Sequence, residues 1–415
     1  MRLVVFTARY PCGICEDFLI DEMHIAEKMF DEIIIVSGIK EKPVITKYVP
    51  SNARVVYIRT QKGLLSRLSG AVACGLSFSF WREVYSGCKE RGFKKSVSVF
   101  IKTFLACDYI RHLKNCEKQW QFDDGNTVYY SYWLDAAATY LAKNKARLNG
   151  ICISRAHGGD CFYDREHIPF RKEQLRGLDA IFPISDAGRA DILEHYANVV
   201  PNLKDKIFVS KLGIDIPQNQ QIVKKSENQK VIVTCSNVIP LKRLDLMIEA
   251  LSLCDDLNIK WIHFGDGSEM ENIVSLAENK LSSKSNISFE FKGRVPNQDV
   301  LSFYDETKVD LFINCSDSEG IPVSVMEAMV REIPAIARNV GANVELVNNN
   351  CGVLLPQNIS SADLLDAIRS VLSLNEKEYS LLQKNAVEKV FVDFNAKQNH
   401  IKFYKQIIEM GLQNG

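Results

Sequence analysis

Two carboxylates, Glu319 and Glu327, stand eight positions apart in the stretch SDSEGIPVSVMEAMVREIPAIARNVG, residues 316–341. Between them lie Gly320, Ile321 and Pro322, then a helix-forming run that starts at Val323. The apolar run VDLFINCS before them has the length and continuous hydrophobicity of a buried parallel strand. The order is therefore strand, turn, helix. It predicts Glu319 at the C-terminal edge of a sheet, where open α/β folds bind ligands, and Glu327 about one turn into the helix. The backbone N–H groups near Val323 to Val325 have no partner inside the helix and can face an anion. One segment thus offers a carboxylate for hydroxyl groups, amides for a phosphate-like anion and a second carboxylate for a diol. The bland alternative is a solvated helix carrying two surface carboxylates.

Three other places have comparable chemistry at strand ends. Lys242 and Arg243 lie between the strand run KVIVTCS and the helical run LDLMIEALSLC, where fixed cations can neutralise an anion. His157 ends the run GICISRA and is followed by Gly158, Gly159 and Asp160; of the seven histidines, it alone stands at a strand end with a glycine pair. The turn after the first strand, Tyr10 to Glu16, contains Gly13, which lets a ligand approach the backbone, and Glu16. These positions require a frame of alternating strands and helices, and the chain has one. In the first half the strands RLVVFTA, DEIIIVSG, ARVVYIR, NTVYYSY, GICISRA and LDAIFPIS are separated by helical runs, and KIFVSKLGID closes the half. The polar stretch PQNQQIVKKSENQK reads as a linker. A second set follows with KVIVTCS, IKWIHFG, ISFEFKG, DLFINCS, IPAIA and GVLLP, then a helical tail. This is the doubly wound α/β pattern, given twice.

Together these segments resemble family 4 glycosyltransferases, the retaining GT-B enzymes that use nucleotide sugars. The resemblance rests on the E-x7-E of Glu319 and Glu327, followed by A-M-x-x-x-I-P-x-I-A, Gly341 and Glu345, and it covers nearly the whole chain. It implies two Rossmann-like domains with mainly parallel sheets: 1–216 for the acceptor, a 217–230 linker, 231–390 for the nucleotide sugar, and a helix in 391–415 that returns to the first domain. By resemblance, Glu319 holds donor sugar hydroxyls, with Gly320, Ile321, Pro322 and Val323 beside the diphosphate. Glu327 holds the ribose diol, and Lys242 contacts the diphosphate. His157 lines the donor sugar. Gly265, in the turn Gly265-Asp266-Gly267, lines the nucleotide cleft, and Arg294 and Val295 lie where the base is held. Gly13 and Glu16 belong to the acceptor or diphosphate loop. The sequence departs from the pattern at Asn237, which occupies the family's arginine position, and at Arg243, which occupies its glycine position and is expected to supply the missing charge.

The implied function is transfer of a sugar from a UDP- or GDP-sugar to a glycan or lipid-linked glycan, of the kind found in bacterial exopolysaccharide, capsule or lipopolysaccharide assembly. The nucleotide sugar is a substrate, and neither a cofactor nor a metal is implied. Alternatives on the same fold are a nucleotide-sugar epimerase and a non-catalytic partner subunit. The motif Cys12-Gly13-Ile14-Cys15 invites a redox reading, but that leaves residues 230–356 unexplained. The pair Asp123-Asp124 reads as a turn before a strand rather than a metal site.

Composition narrows the class. With 415 residues, 46% hydrophobic and 25% charged, the chain suits two soluble domains. Lys and Arg total 51, as do Asp and Glu, so no overall field favours nucleic acid. Twelve cysteines without a visible signal peptide read as reduced thiols of a cytoplasmic protein. Residues 59–118 are the exception in charge, with twelve Lys and Arg against four acids. Their apolar residues Phe78, Phe80, Trp81, Phe93, Phe100 and Phe104 are expected to serve mainly as core. They also suit a surface for anionic lipid or a lipid-diphosphate acceptor, and so a peripheral contact at the inner face of the membrane.

Overall fold

The apolar runs form two all-parallel six-stranded sheets. The computed structural model of the chain describes residues 1–13, 16–39, 44–59, 74–122, 125–165, 167–217 and 229–414. Cys15, the Asp123–Asp124 pair, residues 60–73 of the basic segment and most of the 217–230 stretch lie outside these. The first sheet contains β1 (Arg2–Thr7), β2 (Glu32–Ile39), β3 (Ala53–Arg59), β4 (Thr127–Ser131), β5 (Ile151–Ala156) and β6 (Ala180–Pro183), in the order β3-β2-β1-β4-β5-β6. The second contains β7 (Lys230–Cys235), β8 (Ile259–Phe264), β9 (Ile287–Phe291), β10 (Leu311–Asn314), β11 (Ala335–Arg338) and β12 (Gly352–Leu355), in the order β12-β11-β10-β7-β8-β9. Each sheet grows outward from its first strand in two directions. Its order therefore reverses between β1 and β4, and between β7 and β10, and at such a point neighbouring loops part to leave a crevice.

The chain divides into two compact units, Met1–Lys211 with Lys397–Gly415, and Leu212–Ala396. In the first unit, the two-residue period of β1 places Val4 and Phe6 in one core with Trp120, Tyr129 and Tyr140. Leu3 and Val5 enter a second core on the opposite face. The helix Ala396–Asn414 supplies Phe403, Tyr404 and Ile407 to that second core. The segment KIFVSKLGID forms no strand. The amides of Phe208 and Ser210 bond the carbonyls of Ile181 and Pro183 at 2.9 Å, an edge pairing confined to one isolated bridge at Ile207.

A wholly buried ion pair ties the C-terminal helix to this unit. Arg155 Nη2 lies 3.3 Å from Glu22 Oε1, while its Nε donates to Tyr130 Oη at 2.8 Å. Its guanidinium sits 4.3 Å from the centre of the Phe403 ring. Glu22 Oε1 also accepts from Tyr130 at 3.1 Å and from Tyr404 at 3.3 Å. The helix Ala136–Asn144 starts on Asp135, whose Oδ1 accepts from the Ala137 amide at 2.9 Å. Burial, with the Asp160 and Glu16 carboxylates adding to it, pushes the Asp135 carboxyl up to about 7.

The basic segment departs from the core expectation. Of its six aromatics Phe80 is buried and Phe104 half-buried, whereas Phe78, Trp81, Phe93 and Phe100 are exposed. They lie on the helices Phe78–Arg91 and Ser96–Asn115 and at the turn between them.

Two stability outcomes follow. Replacing Glu22 by Ala leaves the Arg155 charge buried without its counter-ion, a change that costs about 3–5 kcal/mol. Hydrogen exchange should then report early opening of the helix Ala396–Asn414, and unchanged protection would refute the role given to the pair. For Asp135 the folded pKa lies above the unfolded one. Its contribution is therefore complete below the unfolded value and is lost as pH rises to about 7. Asp135→Asn keeps a capping oxygen and removes the ionisation, so urea midpoints should fall less across that window than in the parent chain.

Candidate active site

At the β7–β10 switch point the structure brings Lys242 and Glu319 together. Lys242 lies in the one-turn helix Pro240–Lys242 after β7, and Glu319 five residues after β10. Lys242 Nζ donates to Glu319 Oε1 at 2.6 Å, with both side chains largely buried. Asn314 Nδ2 donates to the same oxygen at 3.1 Å, so the carboxylate is oriented from the strand end as well. The backbone of Glu319 is fixed by a close crossing. A Cβ on Gly341 would stand 1.8 Å from the Glu319 carbonyl oxygen, and Gly341 has φ +54°.

Gly320, Ile321 and Pro322 form the turn into the helix Val323–Met329, which begins at Val323 on Pro322 without a side-chain cap. Glu327 is buried one turn into this helix, and Asn297 Nδ2 donates to its Oε1 at 2.9 Å. Burial raises the Glu327 carboxyl above its ordinary range, against the hydrogen bond from Asn297 and the charge of Arg331. Gly265 has φ +137° and passes so close to β7 that a Cβ would lie 1.8 Å from the Ser236 carbonyl oxygen. Its amide donates to the Gly293 carbonyl at 2.9 Å, so the loops after β7, β8 and β9 are joined in series. Arg294 is exposed and Val295 half-buried directly after that link.

The loop after β7, expected to meet a diphosphate, differs from expectation. Asn237 is exposed and brings no charge. Arg243, with φ +51°, turns its Nε and Nη2 onto Asp245 at 3.1–3.2 Å, and its Nη1 lies 3.4 Å from Asp317. Its fork is thus occupied by carboxylates of its own unit, and Lys242 is the cation in contact with Glu319. Asp317 is held further by Arg338, whose Nη1 also donates to the Cys315 carbonyl at 2.9 Å. Among the described residues no group of His, Cys, Asp and Glu has the arrangement of a metal site.

In the N-terminal unit, His157 caps the short helix Gly158–Cys161 at the end of β5. Its amide donates to Asp160 Oδ1, and Asp160 Oδ2 accepts from the Leu134 amide at 2.7 Å. Tyr132 and Trp133 pack on the imidazole at 4.6 and 4.3 Å between ring centres. Neither ring nitrogen has a hydrogen-bond partner, and burial, followed by the Arg155 charge, holds the pKa well below the ordinary histidine value. The ring is therefore neutral, with one donor and one acceptor to offer. Arg155 does not orient it, because that side chain turns into Glu22.

Glu16 is committed differently from the expected acceptor contact. Its carboxylate accepts from the amides of Ala8, Arg9 and Tyr10 at 2.7–2.8 Å and from Trp133 Nε1 at 2.7 Å. It is a clamp that gathers the β1 loop onto the β4 loop, with little capacity left for a ligand. Gly13 sits beyond it at φ +76° with open space where a Cβ would be. Between the same two loops lies a cavity of about 380 Å³, lined by Thr7, Arg9, Tyr109, Trp133 and Asp135 among others. The sequence reading did not select Asn297, Asn314, Arg338 or Asp135. Asp135 carried a usable signal as an N-cap directly after a strand; the others gave none.

Comparison with known proteins bears on the family and the fold. Residues 215–389 match the family model of the glycosyl transferases group 1. A colanic acid biosynthesis glycosyltransferase of Escherichia coli is 29% identical over 242 residues, 55% of this chain and 56% of that protein. The chain thus spans little more than half the length of that relative. The amylovoran biosynthesis glycosyltransferase of Erwinia amylovora is 27% identical over 68% of each chain. Among solved structures, an Anabaena protein in complex with UDP and glucose superposes with a TM-score of 0.64 at 15% identity, over 99% of this chain and 100% of its own. The chain has the GT-B fold, and its residues 215–389 are similar to the glycosyl transferases group 1.

Proposed function

We propose that this chain is a retaining glycosyltransferase that moves a sugar from a UDP- or GDP-sugar to a glycan or lipid-linked glycan in surface polysaccharide synthesis. The observation that carries the reading is the Lys242–Glu319 contact at the switch point of the second sheet, with the Asn297–Glu327 pair on the adjacent helix. The names of the relatives support the polysaccharide setting, and the UDP bound by the Anabaena structure supports the donor class.

The chemistry follows from the partners. Without donor, Lys242 and Glu319 neutralise one another. A nucleoside diphosphate is a stronger anion than one carboxylate and competes for Lys242 Nζ. The exchange frees Glu319, still oriented by Asn314, to accept hydrogen bonds from sugar hydroxyls. Lys242 then stabilises charge that grows on the departing phosphate, which is the interaction that lowers the barrier. Glu327 accepts from the ribose diol, and the amides from Gly320 to Val323 accompany the phosphate. A leaving phosphate on the same face as the incoming hydroxyl can take its proton, which gives retention without a protein base. Neutral His157 has one donor and one acceptor to offer a sugar hydroxyl. A partner subunit without catalysis is the reading that uncharged Asn237 favours, and donor turnover separates the two.

Titration calorimetry with UDP- and GDP-sugars, followed by nucleotide release, tests the proposal; absence of both binding and release rejects it. Lys242→Ala and Glu319→Ala are each expected to lower transfer about 10²–10³-fold with unchanged circular dichroism. Normal turnover in both would remove the site. Glu327→Gln is expected to act chiefly on binding: one hydrogen bond to a charged group is worth about 1.5–3 kcal/mol, so KM for the donor should rise about 10- to 100-fold with kcat little changed. A fall in kcat at constant KM would instead place Glu327 in the chemical step.

A further inference from the structure

The exposed apolar residues of the N-terminal unit are concentrated on one helical hairpin. In the helix Phe78–Arg91, Phe80 and Gly87 face the interior. Phe78, Trp81 and Tyr85 recur at intervals of three and four residues on the outer face, with Phe78 81% exposed and Tyr85 73%. The helix Ser96–Asn115 repeats the arrangement. Val99, Thr103 and Ala106 are buried, whereas Val97, Phe100, Ile101 and Leu105 are exposed. Trp81 and Phe100 lie 6.1 Å apart between ring centres, which joins the two stripes into one surface. At the turn between the helices Phe93 is 90% exposed. Ordinary monomer surfaces scatter such residues singly and seldom gather them.

Charge decides what such a face suits. Lys89, Lys94 and Lys95 border it and form no ion pair among the described residues. The acids of the same helix are engaged: half-buried Glu83 accepts from the Phe170 amide at 2.8 Å, and exposed Glu90 is paired with Lys172 Nζ at 2.6 Å. An apolar surface rimmed by unpaired lysines, with Trp and Tyr among its rings, matches the headgroup layer of an anionic bilayer. No helix of the described residues is long and apolar enough to cross a membrane, so the hairpin would lie in the interface. The inner side of the second helix lends Lys102, Leu105 and Ala106 to the cavity above β1 and β4. Leu105 belongs to both, so the cavity opens beside the apolar face.

We propose that the face formed by helices Phe78–Arg91 and Ser96–Asn115 docks this chain on an anionic lipid bilayer. The proposal does not depend on the transferase reading, since its readout is lipid binding alone. Flotation of the full chain with vesicles of phosphatidylcholine, alone or with about one-third phosphatidylglycerol, tests it. Binding should be at least about 10-fold stronger to the anionic vesicles and weaken with salt. Both W81S/F93S/F100S and K89E/K94E/K95E should abolish it while leaving circular dichroism unchanged, because every altered side chain is exposed. Three outcomes would overturn the proposal: no flotation, equal flotation with neutral and anionic vesicles, or wild-type binding by both variants. Sedimentation velocity covers the remaining occupant. If the parent chain is a dimer that W81S/F93S/F100S converts to a monomer, a second copy covers the face and the lipid assignment fails.

Discussion

The reversal of strand order in each parallel sheet is the constraint on which the rest depends. Parallel strands all end on one edge, and the loops that leave that edge must cross to one side or the other. Only at β1–β4 and β7–β10 do adjacent loops diverge. The central polar contact of each sheet follows from that geometry. Lys242 leaves β7 and Glu319 leaves β10, so two residues 77 positions apart meet across the gap. In the first sheet Glu16 follows β1 and Trp133 follows β4, and they meet likewise at 2.7 Å. The two gaps share a topology and differ in charge. One holds an ion pair that a ligand can exchange. The other holds a carboxylate whose four N–H partners close the loop on itself.

Much of this was legible in the chain. The buried strands, the turn at Gly320-Ile321-Pro322 and the helix start at Val323 come from short-range pattern, and the motif of Glu319 and Glu327 is local. Lys242 was legible for the same reason. Asn297 was not, because its bond to Glu327 spans 30 residues and no periodicity links a helix start to the middle of another helix. Glu16 reads as an acceptor contact in the sequence, whereas its carboxylate is taken by four N–H groups in the structure. Sequence reveals a carboxylate near a ligand-binding edge, but whether backbone amides satisfy it first depends on the path of the chain, here through a left-handed φ of +65° at Glu16 itself.

The helix Phe78–Arg91 misled for a related reason. Its apolar residues at 78, 80, 81, 84 and 85 leave no clear polar face, and a helix apolar on several sides is ordinarily buried. Here the neighbouring helix Ser96–Asn115 and the segment at His167 accept only one of those sides. The remainder stays outward, and the same residues that suggested core become surface.

The departure at Asn237 also gains a physical meaning. Had a second cation stood there, Lys242 could neutralise Glu319 and still leave charge for a diphosphate. With Asn237 uncharged and Arg243 engaged by Asp245 and Asp317, the loop after β7 has one exchangeable cation. An anion bound there competes with Glu319 for Lys242. Under the proposed function, release of Glu319 would be coupled to anion binding, and the carboxylate would become available to a sugar when the phosphate to which that sugar is attached has arrived. A free sugar meets a Glu319 that is already satisfied by Lys242 and Asn314. Under the proposed function, the missing charge would favour the intact nucleotide sugar over its separate parts.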